Sequence, residues 1–298
     1  MPTRTPGKVA VPADTSPDGR IFGDDVPVEK PLLIASDVDG TLLGPLEVLS
    51  ERTIGVVRRV AAAGVPFVLA SGRPPRWIAP IATPLGLTGY AVCANGAVLY
   101  EIGTDRIVAV HGLLEPQVLH DTVSALDHAL PGCRFAAERV GESALDPEMR
   151  NFVIEPDYHN PWGNHEGTEA PRAEVLGHPA IKLLISRRGM NSDEMARAAR
   201  EVLDGSVDIT YSTNTGLIEI AAHGITKATG LAEVSARLGV PAERVIAFGD
   251  MPNDVEMLRW AGHGVAMANG HRYALDVADE VTAPNSEDGV AQVLERWF

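Results

Sequence analysis

The chain has 298 residues, room for two domains of ordinary size, and its 45% hydrophobic and 22% charged composition is globular and excludes a mainly disordered polymer. With 25 Lys and Arg against 40 Asp and Glu the formal charge is −15, a surface that repels nucleic acid and anionic membranes, so an anionic ligand must be met by a local cation. Two cysteines, Cys93 and Cys133, exclude a disulfide framework and fit a reduced, cytoplasmic setting, and no apolar run approaches the ~18–20 residues that cross a bilayer.

The first thirty residues hold five prolines and no apolar periodicity. They read as a disordered tail without the apolar stretch of a secretion signal. Order is predicted from Leu32, where LLIAS is a short apolar run that stops at Asp37, as a buried strand does. Ser50 offers an N-cap, Ile54, Val57 and Val60 follow at helical spacing, and Gly64 closes that helix. Residues 65–70 form a second apolar run ending at Ser71-Gly72-Arg73. A helix over 74–85 and a third strand over 90–93, ending at Asn95-Gly96, complete this part. The last third repeats the rhythm: a helix capped by Thr226, a strand over 245–248 running into Gly249-Asp250, a helix through Val255 and Leu258, a strand over 265–267, and helices near Ala274 and over 289–297. Helices alternating with wholly apolar strands predict an α/β fold, a Rossmann-like parallel sheet covered on both faces.

Residues 104–213 depart from this pattern. Strands over 106–110 and 181–185 look half-buried, helices are predicted over 116–130 and 192–203, and 143–178 is polar and loop-rich. The organisation expected is a tail over 1–30, one catalytic core from 31–103 and 214–298, and an inserted α+β cap over 104–213.

In an open parallel sheet, ligands bind beyond the carboxyl ends of the strands. The predicted strand ends carry Asp37 and Asp39, Ser71 with Gly72 and Arg73, and Asp250 followed by Asn253 and Asp254; Lys227 opens a neighbouring helix. Four carboxylates crowded on one rim repel one another unless a cation joins them, and Mg²⁺ takes carboxylate and phosphate oxygens. Lys227 and the Ser71 hydroxyl would then hold further phosphate oxygens, the requirements of phosphoryl transfer. Two aspartates two residues apart can divide the chemistry: Asp37 attacks phosphorus, while Asp39 protonates the leaving oxygen and later deprotonates water. Asp-x-Asp-Gly also describes turns and calcium loops, but a calcium loop needs a glutamate at its twelfth position, where the chain has Val48. Cys93 reads as a small buried hydrophobe, and His159 and His165 match no zinc template.

DVDGTLL at 37–43, SGR at 71–73, Lys227 and GDMPND at 249–254 resemble the four ordered motifs of the haloacid dehalogenase superfamily. The insertion between the second and third motifs, with CANGAVLY at 93–100 and EDGVAQVLE at 287–295, resembles the Cof-type branch with a C2B cap. The resemblance implies Asp37 as nucleophile and Mg²⁺ ligand, and Asp39 as general acid/base with its carbonyl on the metal. It implies Asp250 and Asp254 on the metal side, and Lys227 beside the phosphorylated aspartate. Ser71, Gly72, Arg73, Asn95 and Asn253 then fall on the phosphate or substrate. The third motif reads Thr226-Lys227-Ala228 where relatives commonly have Ser-Lys-Gly, which puts only the helix entry in question. The implied activity is a Mg²⁺-dependent phosphatase for small phosphorylated metabolites, sugar phosphates foremost, with the cap selecting the leaving group. A sugar phosphomutase and a phosphoacceptor signalling module are the rival readings, and the oligomeric state is left open.

Overall fold

The computed structural model describes residues 29–160 and 166–298. The expected tail therefore lies outside the described residues except for Glu29 and Lys30, and His165 lies outside them too. The chain opens with β1 (Leu33–Ser36), α1 (Glu51–Ala62), β2 (Phe67–Ala70), α2 (Ala79–Leu85) and β3 (Tyr90–Cys93), then turns back through β4 (Val98–Glu101) and β5 (Arg106–Val110). The insertion follows as α3 (Pro116–Ala129), β6 (Arg134–Glu138), β7 (Phe152–Ile154), β8 (Thr168–Glu169), α4 (Arg172–Val175), β9 (Lys182–Ser186), α5 (Ser192–Val202), β10 (Val207–Thr210) and β11 (Leu217–Ala222). The return is α6 (Lys227–Leu238), β12 (Val245–Gly249), α7 (Val255–Trp260), β13 (His263–Met267), α8 (Arg272–Leu275), β14 (Glu280–Thr282) and α9 (Gly289–Leu294).

The larger sheet has the order β14-β13-β12-β1-β2-β3-β4-β5, parallel from β14 to β3 and antiparallel beyond. Successive side chains of a strand point to opposite faces, so each central strand needs two apolar layers. Ile34, Leu69, Ile246 and Phe248 pack with α1, α2 and α9 through Val56, Val60, Leu85 and Val293. Leu33, Ala35, Val68 and Ala247 pack on the opposite face with Leu231, Val234 and Met257 of α6 and α7. Each of the larger side chains, fully buried, contributes roughly 1.5–3 kcal/mol, which is why these strands carry no polar alternation. β1 lies between β2, which follows it, and β12, which arrives after the insertion. Connections leave β1 and β12 in opposite directions, and that reversal opens a crevice at their carboxyl ends.

The insertion builds a second sheet, β10-β11-β9-β6-β7-β8, antiparallel except for β7 with β8. Phe135, Ala137, Leu183, Ile185, Ile218 and Ile220 pack under α3 and α5 with Leu126, Met195 and Ala199. Period two then puts Glu138, Phe152, Lys182, Leu184 and Glu219 on the other face, the one turned to the crevice. Two assignments change. Residues 106–110, expected in the insertion, are the edge strand of the larger sheet, paired with β4 through Leu99 and Ala109. Residues 217–222, expected in the core, are an interior strand of the smaller sheet. An edge strand is half-buried like a strand of a two-layer insertion, and β11 is apolar like a core strand, so burial pattern alone does not say which sheet owns either. The stretch 143–178 also contains β7, β8 and α4. Cys93 and Cys133 are buried and free, and burial raises both thiols, Cys133 to about 11. No helix among the described residues is long and apolar enough to cross a membrane.

Candidate active site

Asp37 is the first residue after β1, its N–H held by the Phe248 carbonyl of β12 at 2.9 Å. The chain then makes a wide turn that closes with Leu43 N–H on the Val38 carbonyl. Gly40 sits at φ +78°, and a Cβ there would stand 2.3 Å from Asp250 Oδ2, so only glycine lets the turn pass this close. Thr41 Oγ1 donates to Asp250 Oδ1 at 2.7 Å and ties the turn to β12.

Lys227, the first residue of α6, is wholly buried. Its Nζ donates to Asp37 Oδ1 at 2.5 Å and to Asp254 Oδ1 at 2.7 Å. Asp254 Oδ2 accepts the Asp250 and Met251 N–H groups, each at 3.0 Å. α6 reaches this point because Gly96, at φ +106°, leaves room for the Thr226 carbonyl, which a Cβ would meet at 2.0 Å. The unusual Thr226 caps α6 reciprocally: its Oγ1 accepts Thr229 N–H, and its own N–H donates to Thr229 Oγ1.

Carboxylate oxygens of Asp37, Asp250 and Asp254 lie within 4.8 Å of one another, the acidic cluster expected of a cation site. Burial raises Asp37 well above the usual carboxylate range; Lys227 opposes this, while Asp254, Asp250 and Asp39 add to it. Burial, with Asp254, raises Asp250 to about 7 against the pull of Thr41. Burial would lower Lys227, but the Asp254 and Asp37 carboxylates outweigh it and hold the ammonium above its ordinary value. One ammonium thus faces three buried carboxylates, and the surplus negative charge suits a hard divalent ion.

Asp39 stands outside that cluster. Arg73 grips its carboxylate with both arms, Nε to Oδ2 at 2.8 Å and Nη2 to Oδ1 at 2.5 Å, and reaches Glu47 at 3.1 Å. Ser71 follows β2 and is wholly buried, its Oγ accepting Arg73 N–H at 3.0 Å. Asn95, at φ +56°, donates to Glu219 Oε2 at 2.7 Å and accepts from Asn253 Nδ2 at 3.0 Å. Asn253 Oδ1 is buried with no hydrogen-bond partner among the described residues, an acceptor open toward a ligand or bound water. The structure therefore gathers Asp37, Asp250, Asp254 and Lys227 in one nest, links Asn95 to Asn253, and commits Arg73 to Asp39.

Above this floor lies a cavity of about 660 Å³ between the two sheets. Its wall on the side of the smaller sheet includes Glu138, Phe152, Lys182, Ser212 and Thr213, residues that sequence reasoning left out. Lys182 Nζ donates to Glu219 Oε2 at 2.9 Å and across the crevice to the Gly72 carbonyl at 2.8 Å. Arg76 crosses in the other direction, to Glu138 at 2.6 and 3.2 Å and to Glu166. Burial raises Glu138 to about 7, with Arg76 and Lys182 opposing. A signal for the first pair was present: Lys182 and Glu219 each interrupt an apolar strand, IKLLIS and LIEIAA, and a buried charge requires a partner. Their pairing could not be read, because the two strands are adjacent only in space.

The comparisons agree with this arrangement. A sequence model of the haloacid dehalogenase-like hydrolases matches residues 34–294. The chain is 32% identical over 272 residues to 5-amino-6-(5-phospho-D-ribitylamino)uracil phosphatase YitU of Bacillus subtilis strain 168, covering 90% of this chain and 98% of that protein. It is 30% identical over 267 residues to the phosphatase YcsE of the same strain, which carries the same activity name, covering 89% and 95%. A crystal structure of a haloacid dehalogenase-like hydrolase from Bacteroides thetaiotaomicron superposes with a TM-score of 0.71 at 27% identity, covering 90% of this chain and 100% of that one. With four motifs converging at one crevice and a family match across both sheets, the chain belongs to the haloacid dehalogenase-like hydrolase family and is an enzyme of the phosphatase type.

Proposed function

We propose that the protein is a Mg²⁺-dependent phosphatase that hydrolyses small phosphorylated metabolites through an aspartyl-phosphate on Asp37. The observation that carries the reading is the buried Lys227 ammonium shared by Asp37 and Asp254 beside Asp250. Lys227 anchors Asp37 Oδ1, so Oδ2 is the oxygen left to attack phosphorus. As the phosphorus–oxygen bond of the ester breaks, Asp39 gives its proton to the departing oxygen, then takes one from the water that cleaves the acyl phosphate and frees Asp37. Arg73 donates to both Asp39 oxygens, so it fixes the carboxylate's position and has to release one oxygen before Asp39 carries the proton it gives up. Lys227 Nζ and the Ser71 hydroxyl donate to the phosphoryl oxygens, while the open Asn253 Oδ1 accepts from a substrate hydroxyl or a water. Asp37 and Asp250, with the Asp39 carbonyl, would hold Mg²⁺; Asp254 supports the site by fixing Lys227 and the 250–251 backbone. When bound, the ion withdraws charge from the phosphoryl oxygens and lets the carboxylates stay ionised together.

The wall hydroxyls and the aromatic Trp77 and Phe152 suit a hydroxyl-rich leaving group, a sugar or polyol phosphate. The two Bacillus relatives, whose names specify a phosphorylated ribityl compound, support that class. Phosphate release from p-nitrophenyl phosphate tests the chemistry. With Mg²⁺ present, Asp37→Asn is expected to lose turnover by about 10³-fold or more while keeping its melting temperature within a few degrees. Turnover retained by that variant would remove Asp37 from the mechanism.

A further inference from the structure

We infer that the cap-side half of the cavity selects phosphomonoesters whose leaving group carries no second negative charge, because Glu138 and Glu219 already neutralise the cations that face it. The inference deepens the phosphatase reading and rests on it. The described lining of the cavity holds three cations, Lys182 on the smaller sheet and Arg73 and Arg76 reaching in from the larger-sheet side. Arg73 is matched by Asp39 and Glu47, Arg76 by Glu138 and Glu166, and Lys182 by Glu219. Five carboxylates thus face three cations.

The inner pairs are dry. Arg76 and Glu138 side chains are each 5% exposed, and those of Lys182 and Glu219 are 4% and 1% exposed. A carboxylate or second phosphate on the leaving group would have to pull a cation from one of these partners, leaving a buried carboxylate unpaired, or else sit beside the surplus negative charge. Both alternatives are unfavourable where water is excluded. Neutral hydroxyls meet no such penalty. Ser212 Oγ donates to Glu219 Oε1 at 2.9 Å and keeps its acceptor sites, and Thr213 and Thr215 line the same wall. Trp77 and Phe152 also line the cavity, with the Arg76 guanidinium over both rings at 5.3 and 6.0 Å, and add carbon surface for a chain or ring. The phosphoryl end is served separately, by Lys227 and the acidic cluster on the floor.

The test uses matched pairs at pH 8 and saturating Mg²⁺: glucose 6-phosphate against glucose 1,6-bisphosphate, and glycerol 3-phosphate against 3-phosphoglycerate. In the unmodified enzyme kcat/KM is expected to favour the neutral-headed member of each pair by about tenfold or more. Glu138→Gln, which leaves Arg76 facing the cavity with one carboxylate fewer, is expected to narrow that ratio about threefold or more, through the charged member. Glu166→Gln, at the wetter side of the same guanidinium, repeats the test if E138Q does not fold. Ratios near one in the unmodified enzyme overturn the charge rule, and an unchanged ratio in the folded variants removes the carboxylates as its cause. Phosphate release from none of the four compounds, nor from p-nitrophenyl phosphate, would instead bring down the phosphatase reading itself.

Discussion

At the scale of single residues, the acidic nest is a compromise between stability and readiness for a cation. Asp250, with an ordinary value of 3.8, titrates near 7 in the fold. Between those values the native state holds a proton that the unfolded chain has released, so stability from this group falls as pH rises through that window. Asp37 is shifted the same way. In EDTA, Asp250→Asn is therefore expected to melt about 2–4 °C above the unmodified protein at pH 8, with a smaller gain at pH 5.5. Added Mg²⁺ should raise the melting temperature of the unmodified protein at pH 8 and leave D250N nearly unchanged. Gly40→Ala should act in the opposite direction. It places a side chain at φ +78° against Asp250 Oδ2, and is expected to cost about 1–2 kcal/mol from the backbone alone and to impair turnover by displacing the carboxylate. Urea denaturation and the aryl phosphate assay read the two effects separately.

At the scale of elements, two strands and one helix deliver charges to places that their own sequences do not reveal. β9 and β11 are neighbours in register, Leu184 opposite Glu219, and their cavity-facing residues include the Lys182–Glu219 pair that reaches over to Gly72. Lys182→Met leaves Glu219 buried against an apolar side chain, a loss expected at about 3–5 kcal/mol. The double variant Lys182→Met with Glu219→Leu removes both charges and should recover most of that stability, but not turnover, since the Gly72 carbonyl beside Ser71 still lacks its tether. Equal recovery of both would show that the tether is dispensable. α6 shows how a threonine opens a helix here: Thr226 and Thr229 cap each other at the start of the helix that presents Lys227. Thr226→Ala is expected to cost about 1 kcal/mol.

For the whole molecule, the net charge and the site oppose each other. A chain of −15 repels a phosphate dianion at distance, and in the proposed reaction Lys227 and a divalent ion would have to outweigh the surrounding carboxylates to hold it. Because salt screens the long-range repulsion more than the buried contacts, kcat/KM for p-nitrophenyl phosphate should rise between roughly 10 and 150 mM NaCl at fixed free Mg²⁺. A fall would mean that the local potential at the crevice mouth is positive. The arrangement of two sheets face to face, bridged by Arg76 from below and Lys182 from above, also makes the cavity dependent on both units.

The chain's own order of residues determined the apolar strands, their helical covers, and the four clusters of polar residues at strand ends, because those follow from periodicity, capping and turn chemistry within a few residues of each position. Asp37, Ser71, Lys227 and Asp250 were legible in this way. Tertiary structure alone decided that residues 106–110 close the larger sheet while 217–222 lie inside the smaller one, since half-burial looks the same in either. It alone decided that Arg73 embraces Asp39, and that Arg76, Glu138, Lys182 and Glu219 meet across the cavity. Those partners are 34 to 62 residues apart in the chain, and Asn95 and Glu219 are 124 apart. A charge advertises its need for a partner in the sequence; which partner answers depends on the strand order that brings the two together.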